Sequence, residues 1–179
     1  MAILLALLIV SSYITIPVGV LKFTLQLLVV LLIGFYSNLL ESIIVIVSYI
    51  FLGLVGVPVF ANFSGGIQYI LNPTFGFVYG FFFGVLVMQL FKFLFKKCIK
   101  FKFLRYLIIS LICLMIVYFV GFIHGYFTFN YYLGKNYSVA NLLMLFIVPY
   151  IPFDLIKIGV AILSKFAVDK VYKYDLSKI

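Results

Sequence analysis

Long apolar runs recur along this chain, and charge is almost confined to the gaps between them. Runs of that kind cannot form a water-soluble surface. A helix needs about 20 apolar residues to cross the hydrocarbon core of a bilayer. Inside hydrocarbon each backbone N–H and C=O must be paired within its own segment, which favours helices for continuous apolar stretches. The chain is 67% hydrophobic and 9% charged, against roughly 45–50% and 25% in soluble domains. These features predict an all-α integral membrane protein. Its 179 residues leave room for about six spans and short loops. Residues 1–179 therefore read as a single transmembrane domain.

Six helices are expected at about 2–16, 23–37, 39–57, 68–91, 106–128 and 141–168. Pro17 and Gly19 break the first from the second, and Ser37-Asn38 forms a polar turn before the third, which Pro58 ends. The 58–73 segment is rich in breakers and polar groups, which argues against a straight span there. The first run lacks a basic leader and a small-residue cleavage site, so it reads as a span and not a signal peptide.

The net charge of +9 raises the possibility of a nucleic-acid partner, but its distribution points elsewhere. Lys92, Lys96, Lys97, Lys100, Lys102 and Arg105 gather in one expected loop, 92–105, and Lys165, Lys170, Lys173 and Lys178 gather near the C-terminus. Basic loops mark the cytoplasmic side of membrane proteins, and anionic lipid headgroups attract them. Six spans put both termini on that side, together with the 92–105 loop. No nucleic-acid partner is implied. Cys98 and Cys113 are too few for a disulfide framework and read as free thiols.

At one place only, opposite charges lie three residues apart inside an apolar run. Asp154 and Lys157 lie three residues apart inside Val-Pro-Tyr-Ile-Pro-Phe-Asp-Leu-Ile-Lys-Ile-Gly. That spacing puts them on one helix face, and charge within a membrane is a functional site by default. Pro152 can open a half-helix with Asp154 in its first turn, where the helix dipole favours a carboxylate. The pair offers an acceptor-only and a donor-only group to a ligand. The alternative is an ion pair that only fixes helix packing.

Other candidates are polar groups near the outer ends of spans. Asn62, Ser64, Gly65, Gly66, Gln68 and Asn72 make a polar re-entry that is either a binding loop or an ordinary outer loop. Thr24 and Gln26 open the second helix. His124 stands alone and reads as a packing residue. Ala2 and Ala6 form a small-xxx-small pair, which permits close helix approach. The chain has no H-E-x-x-H, G-x-S-x-G or Walker A pattern. That implies no enzyme, no metal and no cofactor, and it leaves no nucleotide site to power transport. A membrane enzyme acting on lipids would need an acidic metal cluster or a nucleophile–base pair.

Three ordered segments resemble the BioY biotin transporter family: Ile16-Pro-Val-Gly-Val-Leu-Lys-Phe-Thr-Leu-Gln26, the stretch from Tyr49 to Phe81 with Ser-Gly-Gly66 and Asn72-Pro-Thr, and Pro149-Tyr-Ile-Pro-Phe-Asp-Leu-Ile-Lys157. The resemblance implies an S component of an energy-coupling factor transporter, in the cell membrane, with a six-helix bundle and both termini cytoplasmic. It implies biotin as ligand and, as partners, a transmembrane scaffold subunit and two ATPases. Asp154 and Lys157 match residues that contact biotin, and the Asn72-Pro-Thr element and the Phe63–Gly66 loop match cavity-forming parts. Thr24, Gln26 and Gln68 complete the expected substrate-binding set, and Ala2 and Ala6 match the scaffold-docking face. Asn72 and Phe75 stand where the family often carries glycine. The same fold serves thiamine and riboflavin, so fold alone does not separate the vitamins.

Overall fold

The structure is a computed structural model that describes residues 1–18 and 21–176. The helices are α1 (Ala2–Tyr13), α2 (Gln26–Tyr36), α3 (Leu39–Val55), α4 (Phe75–Cys98), α5 (Lys102–Phe127), α6 (Val139–Phe146) and α7 (Ile151–Leu176). Strands β1 (Thr15–Val18) and β2 (Leu21–Thr24) pair antiparallel between α1 and α2, with Thr15 opposite Thr24. The chain is all-α apart from this one short strand pair among the described residues. The first helix stops at Tyr13 and not near residue 16, because the β-branched Thr15-Ile16 and the following Pro17 favour extended backbone.

Three stretches, 75–95, 102–132 and 139–171, are long and apolar enough to cross a membrane, and α1, α2 and α3 are shorter apolar helices. Large apolar side chains such as Ile3, Phe51, Met115, Phe119 and Leu163 face outward. A hydrocarbon solvent accounts for that pattern, whereas water does not. The core lies between the helices at Leu8, Leu31, Ile33, Ile46, Met88, Ile109 and Ile162.

Helix ends follow local chemistry. Asn38 caps α3 by accepting from the Glu41 N–H at 2.9 Å, and the Glu41 carboxylate accepts from the Asn38 N–H at 3.0 Å. This reciprocal pair satisfies two donors that a helix start leaves open. Helix α4 begins at Phe75, seven residues later than the expected 68, because residues 67–71 close instead into a 3-10 turn. The Asn72 carboxamide oxygen then accepts from the Thr74 N–H at 3.0 Å and the Thr74 hydroxyl at 2.7 Å. Such a local bond favours a turn over helix continuation.

The basic 92–105 loop is corrected to a much tighter connection between α4 and α5. Lys92 lies on α4, and Lys102 and Arg105 lie on α5. Lys92 Nζ donates to the Gly34 and Ser37 carbonyls at 2.8 and 3.0 Å, so it caps the C-terminal end of α2. A cation there complements the helix dipole. This capping also shows that the α2–α3 turn and the α4–α5 connection share one end of the molecule.

α4 and α5 form the most extensive helix pair. At Gly80 a Cβ would stand 2.8 Å from the Val117 carbonyl oxygen. Glycine is required there by backbone approach, and Gly76 and Gly84 continue the same row one turn either side.

Candidate functional site

The opposite end holds a cavity of about 320 Å³, within the roughly 300–1,000 Å³ of small-molecule sites. Its polar wall is built from three elements. The last span breaks as the sequence predicts: α6 ends at Phe146, a 3-10 turn carries Pro149, and α7 starts at Ile151 with Asp154 in its first turn. Lys157 Nζ donates to Asp154 Oδ1 at 2.8 Å and to the Thr24 carbonyl at 2.6 Å. The Tyr118 hydroxyl of α5 donates to Asp154 Oδ2 at 2.5 Å. Asp154 and Lys157 are each only 5% exposed. Removing one partner of such a pair leaves a buried charge uncompensated.

Thr24 and Gln26 continue the wall. The Thr24 hydroxyl donates to Gln26 Oε1 at 3.0 Å, and Gln26 Nε2 donates to the Tyr49 hydroxyl at 2.7 Å. The β1–β2 hairpin delivers Thr24 to this position at the start of α2. Across the cavity lie Asn72 and Thr74, with Ala61 and Asn62 from the segment after α3.

The rest of the lining is aromatic. Phe60 and Tyr69 stack with centroids 4.8 Å apart. Phe77, Phe81, Phe146 and Tyr150 complete the apolar side. Phe60 is fully buried and presses on α3 at Gly53, where a Cβ would collide with its ring. Burial raises the Tyr69 phenol above its ordinary value, partly offset by the Thr74 and Ser64 hydroxyls. It therefore stays a neutral donor at physiological pH.

Five of the expected substrate-binding residues meet at the cavity: Asp154, Lys157, Thr24, Gln26 and Asn72. Gln68, Gly65 and Gly66 do not line it. Gln68 is exposed and donates back to the Gly65 carbonyl at 3.2 Å. Gly66 has φ 99° and ties the loop to α3 through its N–H to the Gly53 carbonyl at 2.7 Å. The glycines shape the loop that carries Phe60, Ala61 and Asn62 inward. Phe63 faces outward and stacks on Tyr13 at 4.3 Å. Ala2 and Ala6 lie exposed on α1 and do not line the cavity. His124 packs against Phe75 and Tyr79. Cys113 is a free thiol in the core, and the Cys98 side chain lies outside the described residues. Phe75, in place of the family's frequent glycine, is fully buried in the aromatic group with Phe60 and Tyr79. Among the described residues no three His, Cys, Asp or Glu side chains converge as metal ligands.

Sequence reasoning missed Tyr118, Tyr150 and the lining phenylalanines. With 14 Tyr and 22 Phe in the chain, no local spacing marks the few that face inward.

A buried acid–ammonium pair, set on an aromatic cavity among helices with apolar outer faces, defines a membrane-embedded binder of a small polar molecule. The chain belongs to the BioY family, whose sequence model matches residues 1–174. The biotin transporter BioY of Thermotoga maritima is 36% identical over 158 residues, covering 88% of this chain and 86% of that one. Probable biotin transporters BioY of Lysinibacillus sphaericus and Pyrococcus horikoshii are 31% and 30% identical, over 92% and 90% of this chain and 80% and 89% of theirs. In three dimensions the chain resembles the crystal structure of the S component for biotin from an ECF-type ABC transporter. The TM-score is 0.81 at 24% identity, over 94% of this chain and 88% of that one. At that identity the likeness shows a shared S-component fold. The chain is a multi-pass protein of the cell membrane.

Proposed function

We propose that the chain is the biotin-binding and uptake subunit, the S component, of an energy-coupling factor transporter. The observation that carries this is the cavity walled by Asp154, Lys157 and Gln26 in a member of the BioY family. The ureido ring of biotin offers two N–H donors and one carbonyl acceptor. Asp154 and Gln26 Oε1 accept hydrogen bonds, and Lys157 donates them. The aromatic side suits the apolar thioether ring and chain. Charge-assisted bonds of this kind contribute roughly 1.5–3 kcal/mol each.

In this proposal six spans cross the bilayer, both termini are cytoplasmic, and the cavity opens outward. The substrate-binding residues are Asp154, Lys157, Thr24, Gln26 and Asn72, with Gln68, Gly65 and Gly66 acting through loop shape. The protein carries its ligand and does not transform it. Energy comes from two ATPase subunits through a transmembrane scaffold that docks on the Ala2–Ala6 face of α1. Both alanines are exposed there, and a small-residue face allows close helix contact.

The test is equilibrium binding of radiolabelled biotin to the purified protein in detergent or nanodiscs. Saturable binding, not displaced by excess thiamine or riboflavin, is the expected outcome. Absence of saturable biotin binding alongside binding of either other vitamin would reject the assignment.

A further inference from the structure

Tyr49 lies on α3 with no exposed surface and is not part of the cavity lining. Its hydroxyl nonetheless touches the polar wall. It donates to the Val59 carbonyl at 3.1 Å and accepts from Gln26 Nε2 at 2.7 Å. A carbonyl can only accept, so in this bond the Tyr49 hydroxyl proton points to Val59. The Tyr49 oxygen is then an acceptor, and the group facing it must be the amide nitrogen of Gln26. That fixes the sense of the carboxamide: Nε2 points to α3, and Oε1 sits at the Thr24 hydroxyl, 3.0 Å away. The reversed amide would place Nε2 at the Thr24 hydroxyl. It would also draw the Tyr49 proton away from Val59.

We propose that Tyr49 is a positioning residue for ligand recognition, which holds the Gln26 carboxamide so that the cavity wall presents a carbonyl oxygen beside Thr24. The assignment rests on the biotin reading above for the identity of the ligand. The consequence is a wall with acceptors at Gln26 and Asp154 and a donor at Lys157, a pattern that selects a ligand carrying N–H groups on either side of a carbonyl. A ligand with acceptors in place of those N–H groups sets acceptor against acceptor in a buried site, which is costly. The Val59 carbonyl also lies 2.7 Å from the Ser12 hydroxyl of α1, so the same anchor ties α1 to the segment that carries Phe60 to the cavity.

Tyr49→Phe keeps the ring and its edge contact with Phe60 while removing the hydroxyl. Two readouts are taken on protein that elutes as a native species. The first is independent of ligand. In protein labelled with ¹⁵N-glutamine, the Gln26 side-chain amide, identified by its loss in Gln26→Ala, should exchange slowly with solvent. In Tyr49→Phe it should shift and exchange faster, while the exposed Gln68 amide is unchanged. The second is biotin affinity, expected to fall about five- to tenfold in Tyr49→Phe and by less than about twofold further when Tyr49→Phe is added to Gln26→Ala, the mark of one residue acting through another. Ser12→Ala removes a hydroxyl from the same carbonyl without touching Gln26, and should leave affinity within about twofold. An unchanged Gln26 amide in Tyr49→Phe, additive losses in the double variant, or an equal loss in Ser12→Ala would each overturn the proposal. If wild-type protein binds no biotin while the Gln26 amide still loosens in Tyr49→Phe, the vitamin assignment fails and the positioning role stands.

Discussion

Asp154 is held from two sides, by Lys157 on its own helix and by Tyr118 on α5. The first partner was legible in the sequence because charge is so rare in this chain that any acid inside an apolar run stands out. The second was not. Tyr118 lies 36 positions away, and only the packing of α5 against α7 brings its hydroxyl to the carboxylate. The physics of the pair sets how it should be tested. Asp154→Asn alone leaves a buried ammonium without its counter-ion, which destabilises the fold and obscures any effect on binding. Asp154→Asn combined with Lys157→Met removes both charges. The double variant is expected to stay folded and to bind biotin at least about tenfold more weakly, near 1.4 kcal/mol. Retained affinity would assign the pair a packing role alone. Tyr118→Phe keeps the ring on the cavity wall and deletes one charge-assisted bond, so affinity should fall about tenfold, on the order of 1.4 kcal/mol. In the Asp154→Asn/Lys157→Met background the same change should have almost no effect on binding. Titration of all these variants with labelled biotin reads both outcomes.

Helix breaks were largely legible, and helix contacts were not. Proline at 149 and 152 can be placed from stereochemistry alone, because proline suits a helix's first turn and interrupts its interior. The α7 start and the first-turn place of Asp154 follow. The β1–β2 pairing and the late start of α4 escaped, because each depends on local bonds such as the Asn72 carboxamide turn. The Gly76-Gly80-Gly84 row also passed without notice, although its four-residue spacing is visible in the sequence. Its meaning lies in the partner: the Val117 backbone occupies the space a side chain at Gly80 would need. Backbone cannot rotate away as a flexible side chain can. Gly80→Val should therefore destabilise the protein by about 1–3 kcal/mol, the usual cost of overpacking. A lower thermal midpoint in detergent checks it. An equally stable Gly80→Val variant would mean that α4 and α5 can separate without loss. Because Val117 and Phe81 border the cavity, the same variant should also weaken biotin binding.

The molecule as a whole is polarised along its helices. The hairpin, the 57–74 segment and the α6–α7 break gather around the cavity, and the α2–α3 turn gathers with the α4–α5 connection at the other end. Charge follows the same axis. Lys92 sits at the end remote from the cavity, against the α2 terminus, and there Lys165 Nζ lies 4.9 Å from the Tyr36 ring centroid. Basic residues near span ends set orientation, with the basic side retained in the cytoplasm. The proposed uptake role requires the cavity to face outward. This arrangement makes a prediction that binding data cannot supply. In a chain with Cys98→Ser, where the remaining Cys113 is buried, single cysteines are placed at Lys100, Lys135 and Lys170. Positions 100 and 135 flank α5, and a single crossing must put them on opposite sides of the bilayer. A membrane-impermeant maleimide added to intact cells should label position 135, while positions 100 and 170 become labelled only after the membrane is opened. Labelling of position 100 from outside would invert the orientation and turn the cavity toward the cytoplasm, which is incompatible with uptake by this site. Labelling of positions 100 and 170 from different sides would break the parity of spans between them and exclude the six-span arrangement.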